Sequence, residues 1–217
     1  MGRRFVDQRR GDPYYRAAQR EGLRSRAAFK LAYLDDRFHL LRPGARVLDL
    51  GAAPGGWSLV ALERVGRSGR VVAIDPRPIA PAEGLEVVRG RVGDPALLER
   101  LGRERFDVVL SDMSPSISGA YATDHARSVD LVRAAHALAL RVLAEHGAFA
   151  AKVFSGDMID DLLAEIRPHF ADVARTKPPA SRAPSSEIYV VARGFRHAPE
   201  PSGRTGPRTG PRPDFDI

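Results

Sequence analysis

The sequence predicts an α/β protein with a doubly wound, mostly parallel sheet of seven strands, on three observations. Strand-like and helix-like segments alternate from residue 13 to residue 195. The strands are continuous apolar runs, as expected where both faces of a sheet are covered. A glycine-rich turn follows the first strand, at the place where such folds pass from strand to helix and receive their ligands.

In order along the chain, two helices are expected near Pro13–Glu21 and Ser25–Phe38, ahead of the first strand. Strands follow at Arg46–Leu50, Val71–Asp75, Leu85–Val88, Phe106–Ser111, Ala148–Val153 and Ile188–Arg193, and one more near Val173 makes seven. Helices lie between them at Gly56–Val65, Pro95–Gly102, Thr123–Glu145 and Met158–Phe170. Residues 1–12 read as a basic, flexible start and 13–195 as the single domain. Residues 196–217, rich in Pro, Gly and Arg, bury too little apolar surface to offset ordering entropy and read as a disordered tail.

Composition narrows the chemistry. The chain has 217 residues, 43% of them hydrophobic, enough for one core. No apolar run approaches the ~20 residues that span a bilayer. The basic stretch Met1–Arg10 leads into no apolar segment, so it does not read as a secretory signal. Cysteine is absent, which excludes disulfides and thiolate catalysis and agrees with a cytoplasmic location. The six histidines show no metal-ligand spacing, so no metal is expected. Net charge is +7, and residues 1–46 account for all of it, with twelve Arg/Lys against five Asp/Glu. A polyanion suits such an end, because neutralising phosphates releases counterions; a solvated terminus explains it equally well, and a membrane surface less well.

Three strand ends carry unusual residues. The first strand runs Val47-Leu48-Asp49-Leu50-Gly51 into Ala52-Ala53-Pro54-Gly55-Gly56-Trp57, and the second ends in Asp75. Small residues let a ligand approach the backbone, the next helix presents free N–H groups, and Asp75 is placed to accept from a ribose diol. This is a nucleoside-cofactor signal, for a dinucleotide or for S-adenosylmethionine. The pattern Gly-x-Ala-x-x-Gly lacks the middle glycine that admits a pyrophosphate, and no Gly-Lys-Ser/Thr follows, so a P-loop is excluded. Phe106 to Ser111 ends in Asp112-Met113-Ser114-Pro115, and Lys152 interrupts the apolar strand Phe149–Phe154. A lysine there needs an acidic neighbour.

Together with Ser25-Arg26-Ala27-Ala28-Phe29-Lys30-Leu31 and Lys177-Pro178-Pro179-Ala180-Ser181-Arg182 through Glu187-Ile188-Tyr189, these motifs resemble the FtsJ/RrmJ (RlmE) family. Its members are S-adenosylmethionine-dependent ribose 2′-O-methyltransferases of RNA, with a Rossmann-like fold. The resemblance covers about residues 13–195. It implies a catalytic group Lys30, Asp112, Lys152 and Glu187, and cofactor contacts at Gly55, Trp57, Asp75 and Asp112. One position departs: where the family has an acid for the adenine, this chain reads Gly90-Arg91-Val92-Gly93-Asp94, with Arg91 at the matching place and Asp94 three residues on.

The chemistry agrees with the resemblance. A ribose hydroxyl is a poor nucleophile and must lose its proton during transfer. A general base works best when it titrates near operating pH, and a nearby cation with partial burial favours proton loss from a lysine. The reading therefore gives Lys152 the proton or the developing alkoxide, Asp112 and Glu187 the positioning of the lysines, and Lys30 a positive charge at the nucleophile. The helices with Arg16, Arg20, Arg24, Arg26 and Lys30 are expected to grip phosphates, the loop Pro178–Ser186 with Arg182 to meet the RNA, and Tyr14 and Tyr15 to stack on bases or pack in the core. The expected substrate is a uridine of large-subunit ribosomal RNA, presented by the ribosomal particle. Another RNA such as tRNA, a NAD-dependent oxidoreductase and a non-catalytic RNA-binding assembly factor are the alternatives.

Overall fold

The computed structural model describes residues 24–101, 104–181 and 185–197. The expected helix near Pro13–Glu21, with Tyr14, Tyr15, Arg16 and Arg20, lies outside them, as do Arg182, residues 1–12 and the tail from 198 on. The elements are α1 (Ala27–Phe38), β1 (Arg46–Leu50), α2 (Gly56–Val65), β2 (Arg70–Asp75), β3 (Leu85–Arg89), α3 (Pro95–Leu101), β4 (Phe106–Ser111), α4 (Tyr121–Val142), β5 (Leu143–Phe154), α5 (Ile159–Ile166), β6 (Phe170–Thr176) and β7 (Glu187–Phe195). The seven strands form one sheet in the order β3-β2-β1-β4-β5-β7-β6. Neighbours from β3 to β5 pair in parallel, while β7 is antiparallel to both β5 and β6.

Alternation along each strand sorts the side chains between two helical layers. Leu48, Leu50, Val109, Phe149, Ala151, Val153 and Val190 pack with α4 and α5. Val47, Val108, Leu110, Ala148, Ala150, Tyr189 and Val191 face α1 and α2 instead. In α1 the apolar residues Ala28, Leu31, Leu34 and Phe38 recur every three or four positions, giving one buried stripe against Trp57, Val60 and Ala61 of α2. The helix stops at His39, which adopts a left-handed conformation and donates its N–H to the Asp35 carbonyl (2.7 Å).

Two helices end three or more residues short of the sequence reading, each for a physical reason. The helix expected to reach Glu145 ends at Val142, because Leu143 turns extended (φ −68°, ψ 140°) and pairs with Phe106, opening β5 early. The helix expected to reach Phe170 ends at Ile166 and tightens into a 3₁₀ turn over Arg167–His169. Pro168 has no N–H to continue an α-helical ladder. Beyond β7, Arg196 still donates its backbone N–H to the His169 carbonyl (2.9 Å). No helix among the described residues is long and apolar enough to cross a membrane.

Candidate active site

The turn after β1 is built almost wholly from backbone. Gly51 and Ala52 donate to the Ile74 carbonyl (2.9 and 3.1 Å), and Ala53 donates to Asp75 Oδ2 (3.0 Å), which ties the turn to the end of β2. Gly55 donates to the Ala52 carbonyl at φ +105°, a conformation that favours glycine, and α2 begins at the next residue. Gly51 is held at φ +72°, and a Cβ there would stand 2.6 Å from Met113 Cγ and 2.9 Å from its Cα. Bare backbone at Gly51 therefore lets β1 close against the segment that carries Asp112, whose own N–H donates to the Leu50 carbonyl (3.1 Å).

Around this turn lies a cleft of about 730 Å³, running from Asp75, Arg77 and Arg91 to Asp112 and Lys152. A smaller recess of about 150 Å³, lined by Ser25, Asp49 and Trp57 among others, shares Gly51, Ala53 and Asp112 with it. Asp49 is fully buried, accepts a hydrogen bond from Ser58 (2.6 Å), and leaves its Oδ1 without a partner among the described residues. Burial, and then the charges of Asp112 and Asp75, push its carboxyl up to about 7. Asp75 is nearly as buried, yet hydrogen bonds from Arg77 and Ala53 outweigh that burial and hold it below the usual carboxylate range.

The catalytic candidates meet at the far end of the cleft. Lys152 Nζ lies 3.1 Å from Asp112 Oδ1 and donates to the Asp112 carbonyl (2.8 Å). Lys30 of α1 forms an ion pair with Glu187. Both lysines are buried, at 7% side-chain exposure, so each depends on its carboxylate. Strand parity explains the convergence: Asp112, Lys152 and Glu187 fall on the α1 face with Leu110, Ala150 and Tyr189. The reversal of β7 brings its first residue, Glu187, opposite Phe154, the last residue of β5. Burial pushes the Glu187 carboxyl up, but the charges of Lys30 and Lys152 hold it below the usual range. Tyr189 bridges the two pairs. Its hydroxyl donates to Asp112 Oδ1 (3.2 Å), its ring lies 5.8 Å from Lys30 Nζ, and burial raises its own pKa well above normal.

The other sequence-predicted residues divide. Trp57 lines the small recess, but its indole N–H is committed to the Ala27 carbonyl (2.8 Å) and its ring packs 5.7 Å from Tyr189. Gly55 lines neither part of the cleft; it shapes the turn from behind, where a Cβ would meet Arg24 at 2.6 Å. Arg91 lines the cleft and is exposed. Asp94 does not line it: its carboxylate accepts from the Ala96 N–H (3.0 Å) at the start of α3. The basic residues expected to grip phosphates have protein partners where the structure describes them. Arg24 donates to the Ala80 and Pro81 carbonyls, Arg26 to the Ala180 carbonyl, and Lys30 is taken by Glu187. A guanidinium used this way stitches α1 to neighbouring loops.

The chain belongs to the FtsJ-like methyltransferase family, which residues 23–195 match. It is accordingly a methyltransferase that uses S-adenosylmethionine. It is 46% identical over 201 residues to ribosomal RNA large subunit methyltransferase E of Methanothermobacter thermautotrophicus, covering 90% of this chain and 95% of that one. It is 47% identical over 197 residues to the enzyme of the same name from Gluconobacter oxydans, covering 89% and 72%. Among solved structures, a Plasmodium falciparum protein described as a ribosomal RNA methyltransferase superposes with a TM-score of 0.70 at 28% identity, over 79% of this chain and 98% of that one. Fibrillarin from Aeropyrum pernix shares the fold at 15% identity, with a TM-score of 0.55 over 76% and 75%.

Sequence reasoning passed over the roles of Asp49, Arg77 and Tyr189, and a polar set on α4: Asp124, His125 and Ser128, all buried. Asp124 accepts from the Ser118 and Gly119 N–H groups (2.8 and 3.1 Å). His125 Nδ1 donates to the Phe154 carbonyl (2.9 Å), since its Nε2 accepts from the Met158 N–H (3.2 Å), and Ser128 Oγ accepts from the Phe154 N–H (3.0 Å). Polar residues at i, i+1 and i+4 on an inward helix face were the available signal.

Proposed function

We propose that this enzyme methylates a ribose 2′-hydroxyl of RNA, at a uridine of large-subunit (23S) ribosomal RNA during ribosome assembly, in the cytoplasm. The observation that carries the reading is the pair of buried lysine–carboxylate ion pairs, side by side where the cleft ends. The names of the relatives support the ribosomal substrate, and the basic start of the chain suits RNA.

The cleft fits a nucleoside-type cofactor. It offers Asp75 at the end of β2 for a ribose, a turn whose Gly51 admits no Cβ, and in its recess the Asp49 Oδ1, which has no hydrogen-bond partner among the described residues. Asp75 and Asp112 would hold it, with Arg91 at the adenine end, Gly55 setting the turn and Trp57 walling the recess. When bound, S-adenosylmethionine supplies a methyl group already activated on a sulfonium. Carboxylates suit that positive charge. Lys152 would receive the hydroxyl proton as the neutral amine or hold the developing alkoxide as the ammonium, and Asp112 fixes its Nζ through one carboxylate and one carbonyl contact. Glu187 holds Lys30 so that its charge faces the nucleophile. Tyr189 keeps Asp112 aimed at Lys152.

Titration with S-adenosylmethionine and with NAD, followed by mapping of methylated riboses in RNA from cells with and without the protein, tests this. Binding of the first cofactor alone and the loss of one ribose methylation in large-subunit RNA are expected. An unchanged methylation map would sink the reading.

A further inference from the structure

We propose a nucleobase subsite on the side of the ion pairs away from Arg91, in which the base of the methylated nucleotide stacks on Tyr121 and packs against Ile117. The proposal rests on the RNA 2′-O-methylation reading and deepens it. A second open cavity, of about 400 Å³, is lined by Ile117, Tyr121, Phe154, Ser186 and Glu187. The cofactor cleft touches the charged group at Asp112 and Lys152, and this cavity touches it at Glu187. A nucleotide whose ribose lies over the ion pairs thus has a cavity beside it, one side chain away, for its base.

The lining is suited to a base. Among the described residues only three large hydrophobic side chains are exposed, and two of them, Ile117 (65%) and Tyr121 (61%), stand here. Two large apolar side chains exposed at one rim mark a surface suited to contact with another molecule. An aromatic face recovers the stacking that a base loses when it is splayed out of an RNA strand. The ring is also held in place: the Tyr121 hydroxyl donates to the Ser155 carbonyl, and Asp124 orders the preceding loop through Ser118 and Gly119. His125 and Ser128 pin the same helix end to Phe154. Those buried polar groups fix a loop that leaves Ile117 and Tyr121 largely exposed. Ser185 and Ser186 offer polar edges, and Lys177, exposed and donating to the Ser185 carbonyl (2.8 Å), adds positive charge at the rim for a phosphate.

Steady-state methylation of large subunits from cells lacking the enzyme, and of protein-free RNA, tests the subsite. Tyr121→Ala should raise KM for RNA by about tenfold, with kcat and S-adenosylmethionine affinity changed less than twofold. Tyr121→Phe, which keeps the ring but loses its hydrogen bond to Ser155, should bring KM most of the way back, and Ile117→Ser should raise it less than Tyr121→Ala does. RNA transcribed with 4-thiouridine should photocross-link to Tyr121 or Ile117. An unchanged KM in Tyr121→Ala, or cross-links confined to other residues, overturns the subsite while wild-type methylation leaves the catalytic reading standing. An effect seen with particles and absent with protein-free RNA means that a protein covers the ring, and also overturns it. Wild-type protein that methylates no RNA takes both readings down.

Discussion

The turn after β1 and the charged group at the ends of β4, β5 and β7 sit on the same edge of the sheet but are made in opposite ways. The turn is contiguous in sequence and works through backbone, so it fails when atoms are added. The charged group comes from residues 30, 112, 152 and 187, works through side chains, and fails when a charge is removed. In the folded chain the second is tied to the first where the Asp112 N–H donates to the Leu50 carbonyl and holds β4 against β1. A local motif supplies the frame on which a non-local one is hung.

The largest expected effect breaks the non-local half. Lys152→Ala should lower kcat by about 10³-fold, within the range of a lost general base, while calorimetry finds cofactor affinity nearly unchanged. Near-normal turnover would remove Lys152 from the reaction. Next, Gly51→Ala should weaken cofactor binding by about tenfold or more, since it strains a positive φ and drives a methyl into the Met113 backbone beside Asp112. Binding equal to wild type would show that the frame yields more readily than its geometry implies.

Asp49 sharpens the comparison through pH. Its carboxyl titrates in the folded chain at about 7, above the unfolded value near 3.9, so its contribution to stability is present in full below about pH 4 and is lost as pH rises through 7. Ionised, it adds a negative charge to the recess. Cofactor affinity should therefore rise about fivefold between pH 6 and 8, while thermal stability relative to Asp49→Asn falls over the same interval. Parallel curves for the two proteins would contradict this. The smallest effect is expected at Arg77, which occupies both Asp75 oxygens (3.1 and 3.2 Å) and lies mostly in solvent. Arg77→Ala should remove the guanidinium from that carboxylate and tighten cofactor binding by about threefold, a modest gain because Arg77 is mostly in solvent and Asp75 keeps its backbone donors. Weaker binding would mean that Arg77 itself contacts the ligand.

The two halves were also unequally legible. The glycine turn, Asp75 and the order of strand and helix stand in the sequence as local patterns, because apolar runs and small residues report their own burial. The four charged residues became a group through their family resemblance. A lone Lys152 in an apolar strand asks for a partner but does not name Asp112, forty positions away. The structure added parity, which puts both on the α1 face, and it separated Arg91, in the cleft, from Asp94, at the start of α3. It also gave Arg24 and Arg26 partners that a count of positive charge cannot foresee, the carbonyls of Ala80, Pro81 and Ala180. The set Asp124, His125 and Ser128 escaped notice because each residue taken singly looks like ordinary helix polarity.

The reversed direction of β7 has a consequence for how such an enzyme can change. Because β6 and β7 run antiparallel, the end of β6 and the start of β7 lie on the same edge as the ion pairs. Pro178, Ala180 and Ser181 between them are buried, but at exposed positions lengthening a loop costs little, about 0.6 kcal/mol for each doubling. Residues could therefore be inserted there to greet a differently shaped RNA without moving Glu187 from its place opposite Phe154. Substrate choice and chemistry would then be free to diverge separately, with the hairpin open to experiment and the strand beneath it held constant.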